Sequence, residues 1–221
     1  MSGPLFKRID CDVEFMVSAI DQGTIGLPDI QRPFIWSASK VRDLFDSMFR
    51  GYPIGYLLLW AAPENEGTKQ IGTSSHGTDT PSTLIIDGQQ RLTSLYAVMK
   101  GKKVLNKDFQ EKLIKIAFRP LTGEFAVSTA AHGRSPDWIK DISEVFRNYE
   151  DSYEFITEFI DEIGKNKEID PDSRKAIAKN IQRLLQLRKY PFSALEVNSA
   201  TDEEDVADIF VRVNSQGQNL N

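Results

Sequence analysis

Residues 83–101 read TLIIDGQQRLTSLYAVMKG, an apolar run too short for a helix followed at once by an amphipathic stripe. TLIID has the length and apolar character of a buried strand. Leu92, Leu95, Tyr96 and Met99 give the next segment one apolar helical face, with Gly101 as its stop. The chain must therefore pass from strand to helix within Asp87, Gly88, Gln89, Gln90 and Arg91. Such a junction presents backbone N–H groups and the positive end of a helix dipole, which together suit an anion, phosphate above all. Gly88 permits close backbone approach, and Arg91 adds a planar cation matched to phosphate oxygens. Gln89 and Gln90 carry donors and acceptors that can orient a phosphate, a base edge or a water.

Asp87 is the odd member, because a carboxylate beside a phosphate is repulsive unless a divalent cation or Arg91 intervenes. Two readings stand side by side. Asp87 caps the helix while Gln89, Gln90 and Arg91 decorate a solvated first turn, or Asp87 is a Mg2+ partner at a phosphate site. The chain contains neither GxxxxGK[ST] nor GxGxxG, so any nucleotide chemistry uses a different scaffold.

The flanking sequence predicts an α+β protein. Val13, Met16 and Ile20 predict a short helix before Gly23, and Val41, Leu44, Phe45, Met48 and Phe49 a longer one before Gly51, capped by Ser37 or Ser39. IGYLLLWAA reads as a buried strand, residues 62–82 as a mobile loop, and LIKIAFRPLTGEFAV as a hairpin around Pro120–Gly123. TIGLPDIQRPFIW, braced by Pro28 and Pro33, is a loop with a strand at most. From Ser135 the pattern turns helical. Trp138, Ile142, Val145 and Phe146 share one face, Phe155, Phe159 and Ile163 another, and Ile177, Ile181, Leu184 and Leu185 a third behind Pro171. PFSALEV returns to strand, followed by a helix for which Thr201 and Glu204 form a capping box. We expect a core over 1–134, a helical appendage over 135–190, and a strand and helix returning to the core over 191–221.

Composition excludes several chemistries. One cysteine, Cys11, cannot form an intramolecular disulfide or a cysteine-rich zinc site, and two histidines, His76 and His132, sit in no metal-ligand pattern. No apolar stretch reaches the roughly 20 residues of a membrane span and MSGPLFKRID is no secretory signal, so a cytoplasmic location and no membrane partner are expected. The net charge is −5, and residues 141–170 hold 10 Asp/Glu against 3 Lys/Arg. That run reads as the wet side of a helix. The lysines between Lys100 and Lys115 are either a local basic groove or a solvated rim, and Asp43 and Asp46 a solvated face more than a metal pair.

Four ordered stretches, LPDIQRPFIW, LFDSMFRGYPIGYLLLW, IIDGQQRLTSLYAVMKG and IFVRVNSQGQNL, resemble the N-terminal domain of the GmrSD-type restriction endonuclease family across about residues 13–221. The resemblance implies a mixed sheet core similar to ParB and sulfiredoxin, and Mg2+-dependent hydrolysis of ATP or GTP coupled to restriction of modified or phage DNA. Carried over, Asp87, Gly88, Gln89, Gln90 and Arg91 become the nucleotide site, with Asp87 toward the metal. Gln31, Arg32 and Pro33 become a facing loop that senses the DNA modification, and Arg212, Asn214 and Gly217 close the pocket. The family often has an aromatic residue where this chain has Ile30. A nuclease module is expected on a C-terminal half beyond QGQNLN or on a partner subunit. The alternative is a ParB-like module that binds nucleotide or modified DNA as a switch without significant turnover.

Overall fold

Strands and helices are mixed along the chain in the computed structural model, which describes residues 4–28, 33–61, 68–70, 81–165 and 167–215. In chain order they are β1 (Phe6–Asp12), α1 (Val13–Asp21), β2 (Ile25–Pro28), α2 (Ala38–Phe49), β3 (Leu57–Ala61), β4 (Thr68–Gln70), β5 (Thr83–Asp87) and α3 (Gln89–Lys100). Next come β6 (Lys103–Leu105), β7 (Glu111–Leu113), β8 (Ile116–Arg119), β9 (Glu124–Val127), α4 (Ser143–Arg147), α5 (Ser152–Gly164), α6 (Pro171–Gln186), β10 (Pro191–Val197) and α7 (Glu203–Ser215). The α+β class is as expected. Two compact units result, one from Met1–Arg32, Gly55–Leu92 and Pro191–Asn221, the other from Pro33–Ile54 and Thr93–Tyr190.

The first unit is built on a mixed sheet in the order β1-β10-β3-β5-β2-β4. β10 and β3 run parallel, β3 and β5 antiparallel, and β5 and β2 parallel. Alternation along β3 and β5 sends Leu58, Trp60 and Leu84 to one face, where they pack with Val197 of β10 and Val206 of α7. Ile209 and Phe210 of α7 cover the same cluster together with Ile86 and Leu195. Leu57, Leu59 and Ile85, all buried, alternate with these residues and belong to the opposite face. α1 buries Val13, Met16, Val17 and Ile20, is capped by Asp12, whose Oδ1 accepts from the Phe15 N–H at 2.8 Å, and is followed by Gly23 at φ +77°. Each fully buried aliphatic side chain contributes about 1.5–3 kcal/mol against an exposed reference.

Two sequence expectations fail in this unit. The α7 cap is Asp202, whose Oδ1 accepts from the Asp205 N–H at 2.8 Å, while Thr201 is buried and Glu204 already lies inside the helix; the Thr201–Glu204 capping box does not form. The loop expected over 62–82 contains the short strand β4, paired to β2; its residues 62–67 and 71–80, with His76, lie outside the described residues.

In the second unit α2 begins at Ser37, whose Oγ accepts from the Lys40 N–H at 3.2 Å, and its apolar stripe is buried as expected. Phe49, Phe118 and Phe125 pack ring to ring, with centroids 4.7–5.4 Å apart. The β8–β9 hairpin turns at Pro120–Gly123. Pro171 opens α6 behind Asp170, which accepts from the N–H groups of Asp172 and Ser173. The lysine-rich stretch holds a small β6–β7 hairpin, in which Lys103 pairs with Glu111 at 2.6 Å.

Two helical faces need correction here. Trp138 is not on a helix with Phe146, because α4 starts only at Ser143; Trp138 instead packs at a tilt against His132 with centroids 4.5 Å apart, and Ile139 bridges Phe118 of β8. On α5 the buried stripe is Ile156, Ile160 and Ile163, one step round from the expected Phe155 and Phe159, which are half-buried.

Candidate functional site

β5 ends at Asp87, α3 begins at Gln89, and the single residue between them makes the turn. Gly88 has φ +91°, which strains any L side chain, and a Cβ there would lie 2.3 Å from Leu57 Cδ2 and displace that side chain. The Leu92 N–H donates to the Gly88 carbonyl at 3.0 Å, the first bond of the helix. The positive end of the α3 dipole is thereby set at Gly88–Arg91. Gly88 is the residue half inside the helix, and Asp87 stands one position before it.

The pairing of β3 with β5 sharpens the corner. Leu58 faces Asp87 while its neighbour Leu59 faces Ile85, which leaves Ile86 as the extra residue of a β-bulge. Bulges bend a strand and re-aim the residues beyond the bend. A second glycine completes the arrangement. Gly55, at φ +87°, would place a Cβ 2.7 Å from Arg91 Nη1, so the guanidinium lies directly against its backbone. Only 17% of the Arg91 side chain is exposed, and its Nη2 lies 3.7 Å from Asp87 Oδ2, attractive in charge but too long for a hydrogen bond. Burial pulls the Arg91 pKa below its ordinary value and Asp87 acts in the opposite direction. The group stays cationic at neutral pH. Desolvation makes such a charge respond strongly to an anion.

The glutamines differ. Gln89 Nε2 donates to the Ile85 carbonyl at 3.0 Å, which ties its side chain back onto β5, and Gln90 is half-buried on the first turn. Asp87 is a single carboxylate, 37% exposed, and no cluster of three metal-ligating side chains occurs among the described residues. A single carboxylate can hold Mg2+ only together with phosphate oxygens or water, the usual arrangement for that ion. Asp43 and Asp46 are taken up by Arg42 and Arg50 on their own helix.

The remaining predicted residues are placed unevenly. β2 runs parallel to β5, so both strands finish at the same end of the sheet; Ile30, Gln31 and Arg32, next in sequence, lie outside the described residues, and Pro33 is half-buried in the second unit. Arg212 is 81% exposed, its Nη2 3.5 Å from Asp208 Oδ2, and Asn214 Nδ2 donates to the Phe210 carbonyl at 2.9 Å. Both are engaged on α7 itself, and Gly217 lies outside the described residues. Sequence reasoning missed Gly55, Leu57 and the Ile86 bulge. The two glycines flanking Tyr52 and Tyr56 in GYPIGY were the available signal, but only the β3–β5 register shows what the second of them touches.

Fold and junction together define a class: an α+β protein in which two left-handed glycines seat an arginine at the positive end of a helix. Residues 13–221 match the family of GmrSD restriction endonuclease N-terminal domains, and the chain belongs to that family. It is also similar to "Uncharacterized protein MJ0686" of Methanocaldococcus jannaschii, at 35% identity over 89 residues. The match takes in 37% of this chain and 15% of that relative's length. No helix among the described residues is long and apolar enough to cross a membrane.

Proposed function

We propose that the chain is the nucleotide-binding and hydrolysing sensor domain of a modification-dependent DNA restriction protein, with a ParB/sulfiredoxin-like core. The observation that carries this reading is the seat of Arg91, a largely buried guanidinium held against Gly55 at the start of α3. Arg91 and the helix end take the negative charge of the phosphate oxygens, and Gly88 lets the backbone approach them. Asp87 would hold Mg2+, which would supply charge neutralisation to the phosphates of ATP or GTP. Gln89 or Gln90 orients the attacking water, the Gln89 amide being held by its bond to the Ile85 carbonyl. Arg212, Asn214 and Gly217 close the nucleotide pocket; Arg212 and Asn214 pair with Asp208 and the Phe210 carbonyl along α7. Gln31, Arg32 and Pro33 read the DNA modification, and cleavage belongs to a nuclease domain or partner subunit.

The engagement of Gln89 also favours a second reading, in which the domain binds nucleotide or modified DNA as a switch without significant turnover. Phosphate release from ATP and GTP by purified protein with Mg2+ separates the two. Hydrolysis predicts a loss of about 100-fold in Arg91→Ala and in Asp87→Ala; equal background release from wild type and both variants sinks the enzymatic reading. For the sensing loop, Gln31→Ala and Arg32→Ala are expected to lose preference for modified over plain duplex while nucleotide affinity persists. Unchanged discrimination would refute that role.

A further inference from the structure

The small β6–β7 hairpin carries a tip that the nucleotide site does not use. Between its strands the chain turns through Asn106–Gln110, and four hydrogen bonds fix that turn. Asn106 Oδ1 accepts from the N–H groups of Asp108 and Gln110, both at 2.9 Å. The Phe109 N–H donates to the Asn106 carbonyl and the Asn106 N–H to the Gln110 carbonyl, both at 3.0 Å. Phe109 is thereby held at φ +57°, the one residue other than glycine at positive φ among the described residues. Turns ordinarily place glycine or asparagine at such a position. Phe109 is also 82% exposed, so it adds almost nothing to packing. Backbone strain of this kind collects where a ligand is gripped.

The hairpin behind that ring is basic in an acidic chain. Residues 100–115 hold six lysines against Asp108 and Glu111, whereas the whole chain stands at −5. Lys103 pairs with Glu111, but Lys107 in the turn, Lys112 on β7 and Lys115 just behind it are exposed, with no ion pair among the described residues. Six extended residues reach about 20 Å, so all three lysines fall within the rise of about six base pairs from the ring. The base of the hairpin is tied to the chain leaving the proline-braced loop. The Phe34 N–H donates to the Leu105 carbonyl at 3.2 Å, and Phe34 bridges Asn106. Pro33, placed above in the loop that reads the DNA modification, is the residue before it.

We infer that the β6–β7 hairpin is a duplex-DNA contact in which Phe109 is a wedge at a base step and Lys107, Lys112 and Lys115 take phosphates beside it. The assignment rests on the reading of the chain as part of a DNA restriction protein. Lysine–phosphate contacts release counterions and ignore sequence, while apolar wedges enter the minor groove by partly unstacking one step. A wedge must not fold away under load, and the Asn106 clamp and the Phe34 bridge prevent that. An acidic protein surface could also take the lysines, but it has no base step for the ring.

The test measures binding of the full chain to a short duplex carrying a fluorescent base analogue, with heparin as a polyanion that lacks bases. Phe109→Asn, whose side chain suits a left-handed turn, is expected to weaken the duplex by about tenfold and to abolish the emission rise of the unstacked analogue. Heparin should stay within about twofold of wild type in that variant, and Phe109→Trp should retain both signals. Replacing Lys107, Lys112 and Lys115 together by Ala should weaken both polyanions and lower the slope of log affinity against log salt by about 2–3. Duplex affinity and emission unchanged in Phe109→Asn overturn the wedge and leave the restriction reading standing. Equal losses for duplex and heparin in that variant also overturn it, since they mark a displaced hairpin. A salt slope unchanged in the triple variant overturns the phosphate contacts. No duplex binding by wild type removes the hairpin contact together with the DNA-reading role of this domain.

Discussion

Each unit contains a left-handed glycine and an arginine, which touches the glycine in the first unit and the ring that fills its open side in the second. In the second unit Gly123, at φ +71°, has its open side filled by the Phe49 ring, with Cε1 3.1 Å from the position of an added Cβ. Arg183 lies over that same ring at 4.1 Å and donates to the Phe49 carbonyl at 3.0 Å, while Asn180 donates to the Pro120 carbonyl at 2.7 Å. Ring, amide and guanidinium are directed inward to join α6, α2 and the β8–β9 turn. In the first unit the glycines admit the guanidinium itself, and the Asp87 carboxylate stands 3.7 Å away, beyond hydrogen-bonding distance. One arginine closes a structural joint. The other is seated at the positive end of a helix, where an added anion would improve its electrostatics.

If that contrast is right, substitutions in the two places separate turnover from stability. The largest expected effect is Arg91→Lys: charge survives but the planar fork does not, and phosphate release should fall by about tenfold or more, measured in steady state. Arg183→Met, by contrast, should leave phosphate release unchanged while lowering stability by about 1 kcal/mol in urea denaturation, through loss of the carbonyl bond and the ring contact. Turnover lost in Arg183→Met with Arg91→Lys intact would reverse the roles of the two arginines.

The glycines supply the next pair. Gly88→Ala must take φ +91° and meet Leu57 Cδ2 at 2.3 Å, whereas Gly123→Ala takes φ +71° and meets a ring atom at 3.1 Å. Denaturation midpoints should place the first about 2–3 kcal/mol below wild type and the second about 1–2 kcal/mol below. The smallest expected effect is Arg212→Ala, which at 81% exposure should shift stability by less than about 0.5 kcal/mol.

A pH dependence tests the second unit independently. Bonds from Ser173, through its hydroxyl and then its backbone N–H, hold the Asp170 carboxyl below the usual carboxylate range. A depressed folded-state pKa gives stabilisation that is fully present above the unfolded value and is lost as pH falls through the folded one. Asp170→Asn should therefore flatten the acid limb of the melting curve below about pH 4, and an acid limb identical to wild type would remove the cap from the account.

The helices with a regular stripe were legible because one face of each is buried and periodicity records that face: α2 with Val41, Leu44, Phe45, Met48 and Phe49, and α6 behind Asp170 and Pro171. On α5 the stripe was read one step off, because bulky Phe155 and Phe159 outweighed Ile156 and Ile160, which do the packing. Edge strands were least legible. β1, FKRIDCD, keeps most of its residues exposed and carries charge throughout, as edge strands do, so no apolar alternation marks it. β6 and β7 are three residues each and rich in lysine, hence indistinguishable from a solvated rim. At the site, Asp87–Arg91 could be picked out because a strand met a helix without a linker. Gly55 could not, since its part in it depends on an antiparallel register and a bulge that no local pattern encodes.

The central claim is that phosphate oxygens bind where α3 begins. A crystal of the full chain soaked with Mg2+ and a non-hydrolysable ATP or GTP analogue tests it most directly. The account predicts phosphate oxygens within about 3 Å of Arg91 and of the first-turn backbone of α3. Nucleotide bound elsewhere, with Arg91 still packed against Gly55 and no anion beside Gly88, would contradict it.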